Sequence, residues 1–108
     1  DVMAHSEEVV RKVWEKARGM TELSPELWRR DECGAWIRRD HYGQTHSEFG
    51  WKIENVSVGG PDTVENLRAF HHANAYDRAG RRARCHVTAD QTDIPATGHV
   101  REPRNRPK

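Results

Sequence analysis

Residues Gly50–Gly80 read GWKIENVSVGGPDTVENLRAFHHANAYDRAG. Trp51-Lys52-Ile53-Glu54 alternates apolar with polar, the period of a half-buried strand. Trp51 and Ile53 are expected to face inward, with Lys52 and Glu54 facing outward or into a cleft. Gly59-Gly60-Pro61-Asp62 is a turn signal, and Asp62 is placed to cap a short turn around Val64. From about Leu67 to Ala79 the spacing predicts a helix, with Leu67, Phe70 and Asn74 on one side. Gly80 stands where a glycine closes helices. The stretch therefore reads strand, turn, helix.

Outward from it, Ser6 with Glu7 and Glu8 marks a helix start: a hydroxyl to cap free N–H groups and acids near the positive end of the dipole. Val10, Val13, Trp14 and Ala17 fall on one face, and Gly19 is expected to end this packing helix. Ser24-Pro25-Glu26 predicts a short helical turn through Leu27 and Trp28. Ala35-Trp36-Ile37 predicts a strand, Asp40–Gly43 a turn, and Gln44–Phe49 a polar loop. Arg82–Thr88 alternates well enough for a last strand. From Asp90 onward few apolar residues stand among Pro95, Gly98, Pro103 and Pro107, which predicts a mobile tail. Its end, Arg101–Lys108, sets four basic residues against Glu102.

The composition bounds the answer. The chain has 108 residues, 34% of them hydrophobic, and a mean hydropathy of −1.03. That allows one modest core, in which Trp14, Trp28, Trp36, Trp51, Ile53, Leu67, Phe70 and Val87 are the expected members. Basic and acidic residues nearly cancel, 18 against 17. No apolar run has the length of a membrane span, and no leader pattern stands at the N-terminus, so a cytoplasmic protein without membrane contact is expected. Cys33 and Cys85 lack CxxC spacing and are expected as buried thiols, with a disulfide or a shared metal as alternatives.

The order of residues in 50–80, with WRRDECGAWIRRDHYG upstream and RARCHVTA downstream, resembles the HNH endonuclease family. The resemblance spans roughly residues 14–89. It implies a ββα-metal fold, in which a β-hairpin and a helix surround one divalent metal. In that family the strand ends in Asp-His, the acid holding metal and the His taking a proton from the attacking water. An Asn before Leu braces the loop, and a His or Asn nine residues further completes the metal site. Here Glu54 holds the acid position, Asn55 the His position, and Asn66 precedes Leu67, while Ala75 stands nine residues after Asn66. An amide does not accept a proton near neutral pH, and Ala75 offers no ligand. The scaffold resemblance is kept while the chemistry is lost.

The expected architecture is thus α+β: a small single domain over 1–89 with an HNH-like hairpin plus helix and an N-terminal helix, then a disordered, flexible basic tail over 90–108. Three functions stay open. The first is a degenerate nuclease-like module that binds nucleic acid or protein through basic residues flanking the motif, Arg38 and Arg39 among them. The second is a metal-free enzyme doing acid-base chemistry on a small molecule in the vacated cleft. Its catalytic candidates are Glu54, Asn55 and His72, and its binding candidates His71, Asn74 and Tyr76. The third is a nuclease with displaced metal ligands, in which His71 and Asn74, three apart on the expected helix, join Glu54 or His46. No cofactor and no resident metal are expected.

Overall fold

The computed structural model describes residues 5–19 and 23–108. Among them there is one α-helix, α1 (Glu7–Lys16), followed by small antiparallel sheets, an α+β domain. Ser6 caps α1, its hydroxyl accepting from the Val9 N–H. Val10, Val13 and Trp14 form its buried face. The helix ends at Lys16, before Gly19, because Arg18–Gly19 already forms strand β1.

β1 pairs with β2 (Trp28–Arg30), and β2 with β3 (Trp36–Arg38). The register sets Trp28 opposite Arg38 and Arg30 opposite Trp36, so each Trp meets a guanidinium across the ladder. Arg38 stacks over Trp28 at 5.2 Å and Arg30 over Trp36 at 4.7 Å. On the other face Ile37 enters the core. Trp28 thus stands in a strand, directly after a single helical turn in which the Leu27 and Trp28 N–H groups donate to the Ser24 carbonyl.

The five residues of β4 (Trp51–Asn55) pair with β5 (Leu67–His71), from Trp51 opposite His71 to Asn55 opposite Leu67. α1 lies on this hairpin, with the Trp14 and Trp51 ring centroids 5.2 Å apart. Trp51, fully buried, joins Val10, Val13, Trp14, Ile37, Leu67 and Ala69 in the main core. Burial of each large side chain there contributes about 1.5–3 kcal/mol. Trp28, Ile53 and Val87, expected inside, are only partly buried.

The helix expected over 67–79 is absent: β5 runs to His71, the chain turns, and β6 (Ala75–Asp77) pairs with β7 (Arg82–Arg84). The physical reason is a second period hidden in the same residues. Leu67, Ala69 and His71 repeat every two and are all buried, which suits a strand beside β4. Gly80 lies in the β6–β7 turn, where its N–H donates to Asp77 Oδ1. Asp62 does not cap the 3₁₀ turn Val64–Asn66; it accepts from Asn55 Nδ2 instead.

Two further expectations are corrected. Cys33 and Cys85 form a disulfide, with Cα atoms 5.5 Å apart across 52 residues. The cysteines meet because the turn 31–35 docks on the segment after β7: Thr88 Oγ1 donates to the Cys33 carbonyl and the Ala89 N–H to that of Gly34. The C-terminal segment also docks instead of staying free. β9 (Arg106–Pro107) pairs with β8 (Val87–Thr88). Asn105 acts as a one-residue strand on the edge of β3, accepting from the Trp36 N–H at 2.7 Å and donating to its carbonyl at 3.0 Å. No helix among the described residues is long and apolar enough to cross a membrane.

Candidate functional site

The polar candidates separate into two groups at opposite ends of the β4–β5 hairpin. His71 pairs with Trp51 at one end, while Glu54 and Asn55 sit at the other, about 10–13 Å along the strand. Glu54, Asn55 and His72 therefore do not form one constellation.

The first group surrounds Asp31, which is 2% exposed. Its Oδ1 accepts from the N–H groups of Cys33 and Ala35, both at 2.9 Å. Its Oδ2 accepts from the His71 N–H and from Asn74 Nδ2, again at 2.9 Å. Asn74 uses its whole amide: Nδ2 also donates to the Val87 carbonyl, and Oδ1 accepts from the His86 and Val87 N–H groups. His71 has both ring nitrogens engaged, Nε2 with the Glu48 carbonyl at 2.7 Å and Nδ1 with the Ala73 N–H at 3.0 Å. Since a carbonyl only accepts and an N–H only donates, His71 is the neutral tautomer with its proton on Nε2. Burial pushes its pKa below the usual imidazole value, against the bond to Glu48, which acts the other way. His72 lies beside it, ring centroids 4.3 Å apart, with Nε2 on the Ser47 carbonyl. His71 and Asn74 are thus a structural brace, and neither has a lone pair to offer a metal. Among the described residues no group of three or more His, Cys, Asp and Glu could hold a metal ion.

The second group lines a cleft of about 390 Å³ formed by His5, Ile53, Glu54, Asn55, Asp62, Leu67, Tyr76 and Arg78. Three of the expected site residues, Glu54, Asn55 and Tyr76, meet here. Glu54 Oε1 accepts from the Tyr76 N–H at 3.0 Å, tying β6 to β4, and Oε2 faces Lys52 Nζ at 3.3 Å. Asn55 is fixed by the loop, donating to the Gly60 and Pro61 carbonyls and Asp62 Oδ1 while accepting from the Ser57 N–H. Asn66 donates to the same Pro61 carbonyl.

The arginines also sort into two classes. Arg29 donates to three carbonyls, of Pro25, Glu15 and Ala17. Arg38 pairs with Asp40 at 2.7 Å and Arg39 with Glu7 at 3.5 Å. Arg68 donates to the Glu65 and Leu67 carbonyls. The β6–β7 hairpin is different. Arg78, Arg81, Arg82 and Arg84 are all exposed, and among the described residues their guanidinium groups make no hydrogen bond or ion pair. Arg81 holds the turn with φ +55°. Arg82 and Arg84 point to one face of the ribbon, opposite to that of Tyr76. Only Asp77 opposes four positive charges in this ribbon.

Comparison of the chain with protein-family models, with curated proteins and with solved structures finds no match. The HNH resemblance therefore rests on the quoted residues alone. Sequence reasoning missed Asp31, Asn105, and the cleft residues His5 and Asp62. Asp31-Glu32-Cys33-Gly34 carried a signal for the first, an Asp ahead of a glycine turn, with Gly34 at φ +82°.

Proposed function

We propose that this chain is a binding module for nucleic acid, using the β6–β7 hairpin as its contact, and that it does not cut what it binds. The observation that carries the reading is the set of four exposed guanidinium groups at Arg78, Arg81, Arg82 and Arg84, which have no hydrogen-bond or ion-pair partner among the described residues. An exposed arginine on a hydrogen-bonded ribbon is suited to phosphate oxygens, which it meets with paired donors. Arg82 and Arg84 lie on one face about 7 Å apart, so one phosphate backbone can meet both. Arg38 and Arg39, which the sequence suggests for this role, are held by Asp40 and Glu7 and contribute less.

The degenerate HNH-like reading fits this function. Asn55 and Ala75 occupy positions where the resemblance asks for a base and a ligand, and His71 and Asn74 are engaged in the fold. The acid-base enzyme reading is weakened because His72 lies apart from Glu54. The Cys33–Cys85 disulfide favours an oxidising compartment over the expected cytoplasm, since reducing pools keep thiols free.

Fluorescence anisotropy with a labelled oligonucleotide, disulfide intact, tests the proposal. Affinity is expected to fall with salt at a logarithmic slope of about −3, as about four phosphate contacts require. Replacing Arg81, Arg82 and Arg84 with Ser is expected to remove most of that slope. No binding at low salt, or unchanged binding by the triple variant, overturns the proposal.

A further inference from the structure

We infer that the cleft beside the arginine hairpin receives one unpaired nucleobase carrying an exocyclic amine, so that the chain selects single strands over duplex. The inference rests on the nucleic-acid reading above and specifies its substrate.

The hairpin that presents the free guanidinium groups also builds the cleft: Tyr76 comes from β6 and Arg78 from the turn after it. Arg78, which lines the cleft, is the guanidinium placed for the phosphate next to a base held there, whereas Arg82 and Arg84 point to the other face of the ribbon and meet phosphates further along the strand. The volume, about 390 Å³, falls in the range of small-ligand sites. Ile53 supplies apolar surface and Tyr76 an aromatic one, the surfaces a base occupies when it leaves its own stack, over a floor closed by the buried Leu67. A base inside a duplex is paired and stacked, and its release costs energy that a single strand does not need.

The remaining lining decides which base. Glu54 and Asp62 place two carboxylates in the cleft. Each oxygen carries two acceptor sites, and their protein partners, the Tyr76 N–H, Lys52 Nζ and Asn55 Nδ2, leave several unfilled. Carboxylates accept from exocyclic amines such as cytosine N4 and adenine N6. Thymine and uracil present a carbonyl at that edge, which a carboxylate repels. The same carboxylates keep phosphate out of the cleft, so phosphate remains with the arginines outside.

The test compares oligo-dC, oligo-dA, oligo-dT and a mixed duplex, each about ten nucleotides long, at one low salt concentration. Oligo-dC and oligo-dA are expected to bind roughly 10-fold tighter than oligo-dT or duplex, as one carboxylate–exocyclic amine contact allows. Glu54→Gln, which keeps an acceptor for the Tyr76 N–H, is expected to erase the preference for amino-bearing bases. Tyr76→Leu is expected to bring every single strand down to the duplex level. Should Tyr76→Leu fail to fold, Glu54→Gln decides alone. Equal affinity for all four ligands, with the salt slope intact, overturns the cleft inference while the hairpin reading stands. The inference is also overturned if Glu54→Gln leaves the preference unchanged. Absence of binding to any of them overturns both.

Discussion

The Asp31 brace and the β6–β7 hairpin meet at Asn74 and Cys85, yet they use polar groups in opposite ways. In the brace, Asp31, His71 and Asn74 are buried, and each finds its hydrogen-bond partners inside the chain. In the hairpin, Arg78, Arg81, Arg82 and Arg84 are exposed, and their guanidinium groups have none among the described residues. A buried polar group without partners costs about 1–3 kcal/mol, whereas an exposed guanidinium is satisfied by water. Histidines and an amide that resemble a site in the sequence are therefore structural, and a charge run that resembles a solvated loop is the better candidate for contact with a partner. The brace also anchors both feet of the hairpin, through Asn74 at one and the disulfide at the other, so a rigid region carries the exposed one.

The contrast can be broken most directly at Asp31. Asp31→Ala strands four buried donors and should cost about 3–5 kcal/mol, read as a fall in urea midpoint; a loss below 1 kcal/mol would mean that the brace is not what holds the fold. Next in size is the disulfide. Closing a 52-residue separation predicts up to about 4 kcal/mol from chain entropy, so reduction or Cys33→Ser with Cys85→Ser should lower stability by about 2–4 kcal/mol. Equal midpoints with and without reductant would remove it from the account.

A smaller effect is expected from pH. Burial holds the His71 pKa below its unfolded value near 6.5, so the unfolded chain binds the proton more readily. The contribution of neutral His71 is therefore complete above about pH 6.5 and is lost as pH falls through the folded value. Unfolding midpoints at pH 7.5 and 5.5 for the wild type and His71→Gln test this, the drop being smaller in the variant. An identical drop in both would assign the acid sensitivity elsewhere. Least of all should the hairpin matter to stability: Arg82→Ala and Arg84→Ala are expected to stay within about 0.5 kcal/mol of wild type, while weakening oligonucleotide binding. A large stability loss there would erase the contrast.

Legibility followed the range of the interactions. Ser6, the acids after it and the face of Val10, Val13 and Trp14 gave α1 correctly, because capping and amphipathicity act within a few residues. Trp51-Lys52-Ile53-Glu54 likewise gave β4. Leu67–Ala79 misled because it fits both periods, and only the partner strand β4 selects one of them. The tail looked mobile on composition, yet Asn105 reaches Trp36 across 69 residues, a contact that no local pattern announces. Within the candidate site, the sequence joined Glu54, Asn55 and Tyr76 with His71, His72 and Asn74 in one cleft, and only the fold separates the second set from the first.

Legible in the residues alone were an α+β chain with a modest aromatic core, one capped helix and a strand from Trp51. Periodicity, turn residues and side-chain acid-base properties are local, so they can be read in order along the chain. Tertiary structure alone decided that Cys33 meets Cys85, that Leu67–His71 is a strand, and which histidines and arginines are engaged. Those outcomes depend on which groups are brought within about 3 Å of each other, and distance in space is not written in the spacing of residues.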